Sequence, residues 1–567
     1  MAPLTFQKQR KKRLAIGGLL SAVLLPSLLH GASWAQETGA GFLQVTVTSS
    51  LDGPIQPDSV LTLREAIAVV NGTLPLAALS ADEQQLVELH PKYSTIRFNL
   101  PAGQTAIELE TVLPAIAQPY TMIDGTTQPG YDASQSATAE VKIPVPIVVL
   151  RPAAGKEVFR GLTLSADFIS VKGLSIYGFN SPSQITQSTP PADVFISHLP
   201  TPLNTGENLP SAGDYTLADT PPQGIVIEQN WLGLPPDETM PEKNSGFGVS
   251  VFDGIGTTIQ HNRIEYHNGS AIITGRQADN LKVLENIIVS NGLSGMPDAI
   301  RLDGQVNQSL ISGNLICGND GSAIFMFKPE GAVTVSDNNI RYNGQRLRRA
   351  AVYVMGDNHQ ILDNTITNQK GDGVVVTAFG QGPNTQSNHT VITGNRFDKL
   401  EGLSIDLNAR RDRTPQDFRR GDGPNPKRNS HNRRQDTGNS AVNAPQFISP
   451  EFFVIDGKTI VRGQADPNAE IQLYRSTGVL GSYGPLTEPL ATEVTDEKGE
   501  FEFVSDALLG GEVLSAIATN PRYGTSEPAL NTMISSLSNG TAMPINSLSG
   551  MPQCTTPSAS PPTPTPT

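Results

Sequence analysis

The sequence predicts an all-β protein: a right-handed parallel β-helix followed by a small immunoglobulin-like β-sandwich. Three observations predict it. Asn followed two residues later by an apolar residue recurs at Asn262/Ile264, Asn286/Ile288, Asn314/Ile316, Asn338/Ile340, Asn364/Ile366 and Asn395/Phe397, with Asn-to-Asn steps of 24, 28, 24, 26 and 31 residues. A small residue joined to an aliphatic one recurs out of phase with it, at Gly248-Val249, Ala271-Ile272, Ala299-Ile300, Ala323-Ile324, Ala351-Val352, Gly373-Val374 and Gly402-Leu403. From residue 447 the period changes to the simple alternation of half-buried strands.

Two interleaved series at a period of about two dozen residues describe coils stacked on one axis. Equivalent positions then line up, aliphatic residues fill a dry interior, and aligned Asn side chains can form amide ladders at the bends. Ile272, Ile300, Ile324, Val352 and Val374 are expected in one interior column. Leucine-rich repeats share the period but need a Leu-x-x-Leu-x-Leu pattern that is missing, and a propeller needs four strands per repeat.

In chain order, residues 1–35 read as a secretory signal peptide. Lys8, Arg10, Lys11, Lys12 and Arg13 precede an apolar run from Leu14 to Leu29, and Ser33 and Ala35 supply small residues before cleavage. The run is short and holds Pro26, and no second span follows it. Export to the periplasm, cell surface or medium is expected. Formal net charge is −14; residues 1–35 carry five cations and no acid, so the remainder stands at −19, which disfavours nucleic acid as a partner. Two cysteines, Cys317 and Cys554, are too few for a disulfide framework and are expected unpaired.

Residues 36–130 are assigned to an N-terminal cap and first coils, because a stacked coil exposes apolar interior at its ends. Leu61–Asn71 reads as a short amphipathic lid helix. Leu63-Arg64-Glu65-Ala66-Ile67, followed by Asn71, resembles the cap motif of secreted β-helix repeat proteins of the pectin-lyase-like superfamily, with Leu61 where that family has Cys. Ile96–Pro101, Ile123–Tyr131, Gly402–Leu407 and Asp436–Asn439 resemble its later strands. The resemblance spans most of residues 42–446 and implies the fold, not a chemistry.

The β-helix is assigned to 131–446, with loop insertions at 180–222 and 408–436. The sandwich is assigned to 447–530, on strands at Thr459–Gly463, Glu470–Tyr474, Ala491–Thr495, Glu500–Phe503 and Val513–Thr519. Residues 531–567, rich in Ser, Thr and Pro, are expected to be a flexible tail.

Strand alternation puts Phe252, Ile273, Arg301 with Asp303, Phe325 with Phe327, Tyr353 and Asp406 on one outer strip. Aromatic rings beside an Arg and carboxylates suit a sugar-binding groove, with Phe252, Arg301, Asp303, Phe325, Phe327 and Tyr353 as ligand-binding candidates. The competing expectation is that a loop such as 180–222 covers the strip. Arg301, Asp303 and Asp406, with Asp298 nearby, are the catalytic candidates if the protein is an enzyme. The Gly-His-Gly and Arg-Ile-Lys patterns of β-helix polygalacturonases are absent, and Arg413-Thr414-Pro415 runs on to Arg419 one residue too far for the pectate-lyase pattern.

No His pair, Cys cluster or Asp-rich loop has metal-ligand spacing, so no cofactor is expected; Asp406 with the acids near Asp422 is the one place suited to Ca²⁺. Residues 408–436 carry nine Lys or Arg against four Asp. There Arg410, Arg411, Arg419, Arg420, Arg433 and Arg434 are candidates for an anion-binding arm, and Arg346, Arg348 and Arg349 form a smaller basic cluster. The first functional expectation is a non-catalytic surface for a polysaccharide or cell-envelope partner. The alternatives are a polysaccharide lyase or glycoside hydrolase acting on an acidic polysaccharide, and a rigid spacer.

Overall fold

The computed structural model describes residues 41–181, 190–198, 220–327, 329–378, 387–409, 421–426, 430–431, 436–536 and 554–558. The expected signal peptide lies outside the described residues, among which no helix is long and apolar enough to cross a membrane.

From Val148 on, the coils lay down strands in three sheets, numbered I to III in the order the chain first visits them. Sheet I has twelve strands, sheet II ten and sheet III nine, and each strand pairs with its counterparts one coil before and after. Apart from an antiparallel pair of Leu43–Val47 with Val87–Leu89 at the edge of sheet I and one register shift between Val251 and Asp253, the pairing is parallel and in register: Val283 faces Ile311 in sheet I, Ile288 faces Ile316 in sheet II, and Ile300 faces Ile324 in sheet III. In sheet III one interior column runs Val249, Ile272, Ile300, Ile324, Val352, Val374, Ile405, all fully buried, as the repeat predicts. Burying each such side chain contributes about 1.5–3 kcal/mol.

The corners explain the Asn series. Before each ladder Asn stands one residue in the left-handed region, among them His261, Glu285, Gly313, Asp337, Asp363 and Gly394, which turns the chain between sheets I and II. The Asn amide then satisfies the bend. Asn314 Nδ2 donates to Asn338 Oδ1 of the next coil (2.9 Å) and to the Val283 carbonyl of the previous one (2.8 Å), while Asn286 donates to Asn314 Oδ1. The ladder runs Asn230, Asn262, Asn286, Asn314, Asn338, Asn364, Asn395. A second ladder at the next corner joins Asn291, Asn319 and Asn343. Two of these belong to Asn-Gly pairs that the sequence marks only as turns.

At the N-terminal end, the helix Leu63–Val70 buries Leu63, Ala66, Ile67, Val69 and Val70 in the same core as the coils. Thr62 and Glu65 form a reciprocal capping box. Arg64 bonds Asp52 and the carbonyls of Thr111 and Val112, and Asn71 Nδ2 donates to the Ala115 carbonyl.

After the coils, strands from Gln446 to Ser536 form one largely antiparallel sheet system. Strands at Glu451–Ile455 and Thr532–Ser536 pair with each other and help close it, so ordered chain continues past the expected boundary at residue 530. Tyr474, Leu486 and Ile517 of this module join the core of the coils rather than its own.

Three expectations are corrected. Within 180–222, expected as a loop insertion, Ala192–Ile196 is a strand of sheet III, because its alternate residues Val194 and Ile196 fit the interior. Cys317 and Cys554 are not unpaired but form a disulfide across 237 residues, since coiling brings the strand at 317 beside the returning tail. The tail is therefore not wholly a free spacer: Pro557 bridges to Thr138.

Candidate functional site

The outer face of sheet III carries the predicted strip, and register now orders it. One row runs Ser250, Ile273, Arg301, Phe325, Tyr353, Val375, Asp406 from coil to coil. Phe252, Asp303 and Phe327 sit further along their chains, at the ends of the strands. The structure thus assembles every strip residue on one face, but most of that face is not open. Phe325, Tyr353 and Asp406 are fully buried and Phe252 nearly so, which favours the covered strip over a long open groove. Phe325 stacks on Tyr353 at 5.0 Å between ring centroids.

The exposed part is the rim at the strand ends. Phe327 is 36% exposed. The Arg301 guanidinium lies 4.9 Å from the Phe325 centroid and 4.8 Å from that of Phe327, and pairs with Asp303 at 3.0 Å. Asp303 is anchored through Thr274: its N–H donates to Thr274 Oγ1, whose hydroxyl donates back to the Asp303 carbonyl, both at 2.7 Å. Burial pushes the Asp303 carboxyl above its usual range, opposed by Arg301. Asp298, a catalytic candidate, is fully buried and gripped by both Asp298 oxygens' bonds to Arg349 Nη1, at 2.6 and 2.8 Å. It supports Arg301 from beneath, 3.9 Å away, and does not line the rim.

Two coils earlier the same rim holds residues that the sequence does not flag. His198 Nδ1 lies 2.6 Å from the fully buried Asp253 carboxylate, which also accepts the His198 N–H at 3.0 Å and meets Arg276 at 3.2 Å. Asp253 follows the predicted Phe252 by one residue; a charged residue immediately after an outer aromatic was the available signal.

Asp406 is set apart from this rim. It lies among Asp372, Asp422 and Glu527; burial first, then the charges of those three, pushes its carboxyl well above the usual range. Among the described residues no group of three His, Cys, Asp or Glu is arranged to hold a metal ion. In the smaller basic cluster each cation is paired, Arg346 with Asp320, Arg348 with Glu401 and Arg349 with Asp298, and only Arg349 is buried. Arg410, Arg411, Arg419, Arg420, Arg433 and Arg434 lie outside the described residues. A separate cavity of about 350 Å³ beside the module is lined by Phe447, Ile448, Tyr483, Leu530 and Glu527. Its carboxylate, Glu527, is already bonded to Asn425 and to the Leu407 N–H.

The family model for the right-handed β-helix region matches residues 237–359. The chain contains a right-handed parallel β-helix. A search of the curated proteins by sequence returned no match. Solved structures similar to this β-helix include the A-module of the mannuronan C-5 epimerase AlgE4 of Azotobacter vinelandii, at 14% identity over 55% of this chain and 82% of that one, with a TM-score of 0.37. The DFA-IIIase of Arthrobacter chlorophenolicus A6, without its lid and in complex with GF2, is 10% identical over 65% and 93%, with a TM-score of 0.34. ORF18 of Geobacillus virus E2 is 8% identical over 80% and 72%, with a TM-score of 0.32.

Proposed function

We propose that the protein is an exported glycan-binding β-helix protein whose binding surface is the rim of sheet III around Arg301, Asp303 and Phe327. The observation that carries this reading is Arg301 held against two aromatic rings and paired with Asp303 beside the half-open face of Phe327. An aromatic face stacks on the apolar side of a pyranose, while a fixed guanidinium and carboxylate donate to and accept from vicinal hydroxyls or a uronate. The Cys317–Cys554 disulfide is in keeping with an oxidising compartment outside the cytoplasm. The Arg-rich arm at 408–436 would add salt-sensitive attraction for acidic glycans.

The test is a glycan array of neutral and uronate-containing oligosaccharides, followed by titration of the strongest binder. Arg301→Ala and Phe327→Ala are each expected to weaken binding at least tenfold, and Phe453→Ala, on the exposed face of the module, to leave it unchanged. Unchanged binding in both rim variants sinks the reading.

A catalytic reading is favoured by one feature, the histidine held by a buried carboxylate at His198 and Asp253. A buried carboxylate fixes the ring orientation that a general base needs. Release of reducing ends or unsaturated products, lost in His198→Asn, would put the enzyme in place of the binding protein.

A further inference from the structure

Between the polar pairs Arg263/Glu265 and Asn339/Arg341, two coils of the outer face of sheet II are apolar. Its outward rows run Trp231, Arg263, Ile287, Leu315, Asn339 and Glu265, Val289, Cys317, Arg341. The apolar strip is therefore Ile287 with Val289 and Leu315 with Cys317, with Trp231 beyond Arg263. These apolar residues form their own buried cluster, closed from outside by Ile143, Val141, Val145 and Ala137 of one overlying segment and by Cys554 of the tail. The tail residues 554–558 do not merely pass by. Cys554 is joined to Cys317, and its carbonyl accepts from Arg341 Nη2 at 2.7 Å. Ala139 N–H donates to the Thr556 carbonyl at 2.9 Å, and Ser558 N–H to the Ala137 carbonyl at 3.1 Å. Thr556 N–H and hydroxyl both donate to Glu140. The tail thus holds down the segment that covers the strip.

We propose that residues 554–558 are a redox-set latch, clamping residues 137–140 over the apolar strip of sheet II when Cys317 and Cys554 are joined and releasing them when both are thiols. Without the covalent link the tail is left with two backbone bonds, the Arg341 bond to the Cys554 carbonyl and contacts to an exposed carboxylate. An isolated pairing of that length does not offset the entropy of ordering five residues. The disulfide changes this by holding Cys554 at the strip, so that re-pairing is an intramolecular event at high effective concentration. Closure oxidises the two thiols: they lose two protons and two electrons, an oxidising disulfide takes these up, and it leaves as two thiols. Opening is the reverse exchange with a dithiol. A protein carrying such a latch stays open in a reducing compartment and closes after export.

Hydrogen exchange followed by mass spectrometry tests this on three samples of the full chain: oxidised, treated with dithiothreitol, and Cys554→Ser. Cys554 is at the surface end of the bond, so its replacement leaves the coil core intact, and iodoacetamide labelling checks that both thiols appear only on reduction. Peptides covering 137–143 and 554–558 are expected to exchange at least tenfold faster when reduced and in Cys554→Ser, while those covering 286–288 and 314–316 do not change. Continued protection of 137–143 after reduction would overturn the latch, because the pairing would then hold unaided. Faster exchange throughout the coils would overturn it in favour of a global staple, and thiols that label without reduction would overturn the disulfide itself.

Discussion

Asp406 shows how a side chain can be placed on the right face and still be unavailable. It is fully buried, and Gly421 lies against it at φ +85°; a Cβ there would stand 2.5 Å from Asp372 Oδ2 and 2.6 Å from Asp406 Oδ2. The Gly423 N–H donates to Asp406 Oδ2 at 2.7 Å. Burial and three neighbouring carboxylates raise its pKa in the folded state, so folding keeps a proton that the unfolded chain gives up. The stability from that protonated form is fully present below the unfolded value near 4 and is lost as pH rises through the folded value. Asp406→Asn keeps an oxygen for Gly423 and removes the ionisation. It is expected to be more stable than the parent at pH 8 and equally stable at pH 4. Thermal unfolding at pH 4, 6 and 8 checks it; a pH-independent difference would mean that the carboxyl does not titrate in this range. Asp406 was legible as an outward residue from strand alternation. Asp422 was legible beside it, but Asp372 and Glu527 were not, because they are 34 and 121 residues away in sequence and meet it only through coiling and docking.

At the scale of the element, what repeats in the sequence is what the coil needs at every turn. The interior columns and the first Asn ladder were therefore legible from spacing alone. Arg349 was not: as one of three neighbouring cations it looked like an anion site, yet its partner Asp298 sits two coils away. The His198–Asp253 pair was hidden for the same reason, 55 residues separating its members. The ladder makes a direct prediction. In Asn314→Ala, Asn286 loses the acceptor for its amide and backbone N–H, and the Val283 and Ser312 carbonyls lose a donor. Buried polar groups left in that way cost about 1–3 kcal/mol each, so a loss on the order of 3 kcal/mol is expected after partial relaxation. Asn339→Ala, on the exposed outer face of sheet II, is expected to change stability by less than about 0.5 kcal/mol. Urea unfolding of the two variants separates a ladder from a general preference for Asn in turns.

For the whole molecule, the open question at the end of the coils is what closes their core. Strand alternation predicted a β module following the β-helix, and the structure docks that module onto the last coils. The Thr525 hydroxyl accepts from Ile392 N–H at 2.8 Å, Thr390 bridges to Gly524, and Gln472 Oε1 accepts from Thr393 Oγ1 and Gly394 N–H. Tyr474, fully buried, donates to the same Gln472 oxygen at 2.6 Å and belongs to the core of the coils with Leu486 and Ile517. The disulfide adds a covalent tie, from Cys317 of the coils to Cys554 beyond the module. A shared core and a covalent tie make one cooperative unit of two architectures. Calorimetry of the oxidised protein is accordingly expected to show coils and module melting together. Tyr474→Ala opens a cavity in the contact between them and removes a hydroxyl from Gln472, at a cost of about 3–5 kcal/mol. It is expected to lower the main transition and split off a separate one for the module, and reduction of the disulfide in that variant to widen the split. Two transitions already present in the oxidised parent would show that the module closes the coil end without sharing its stability.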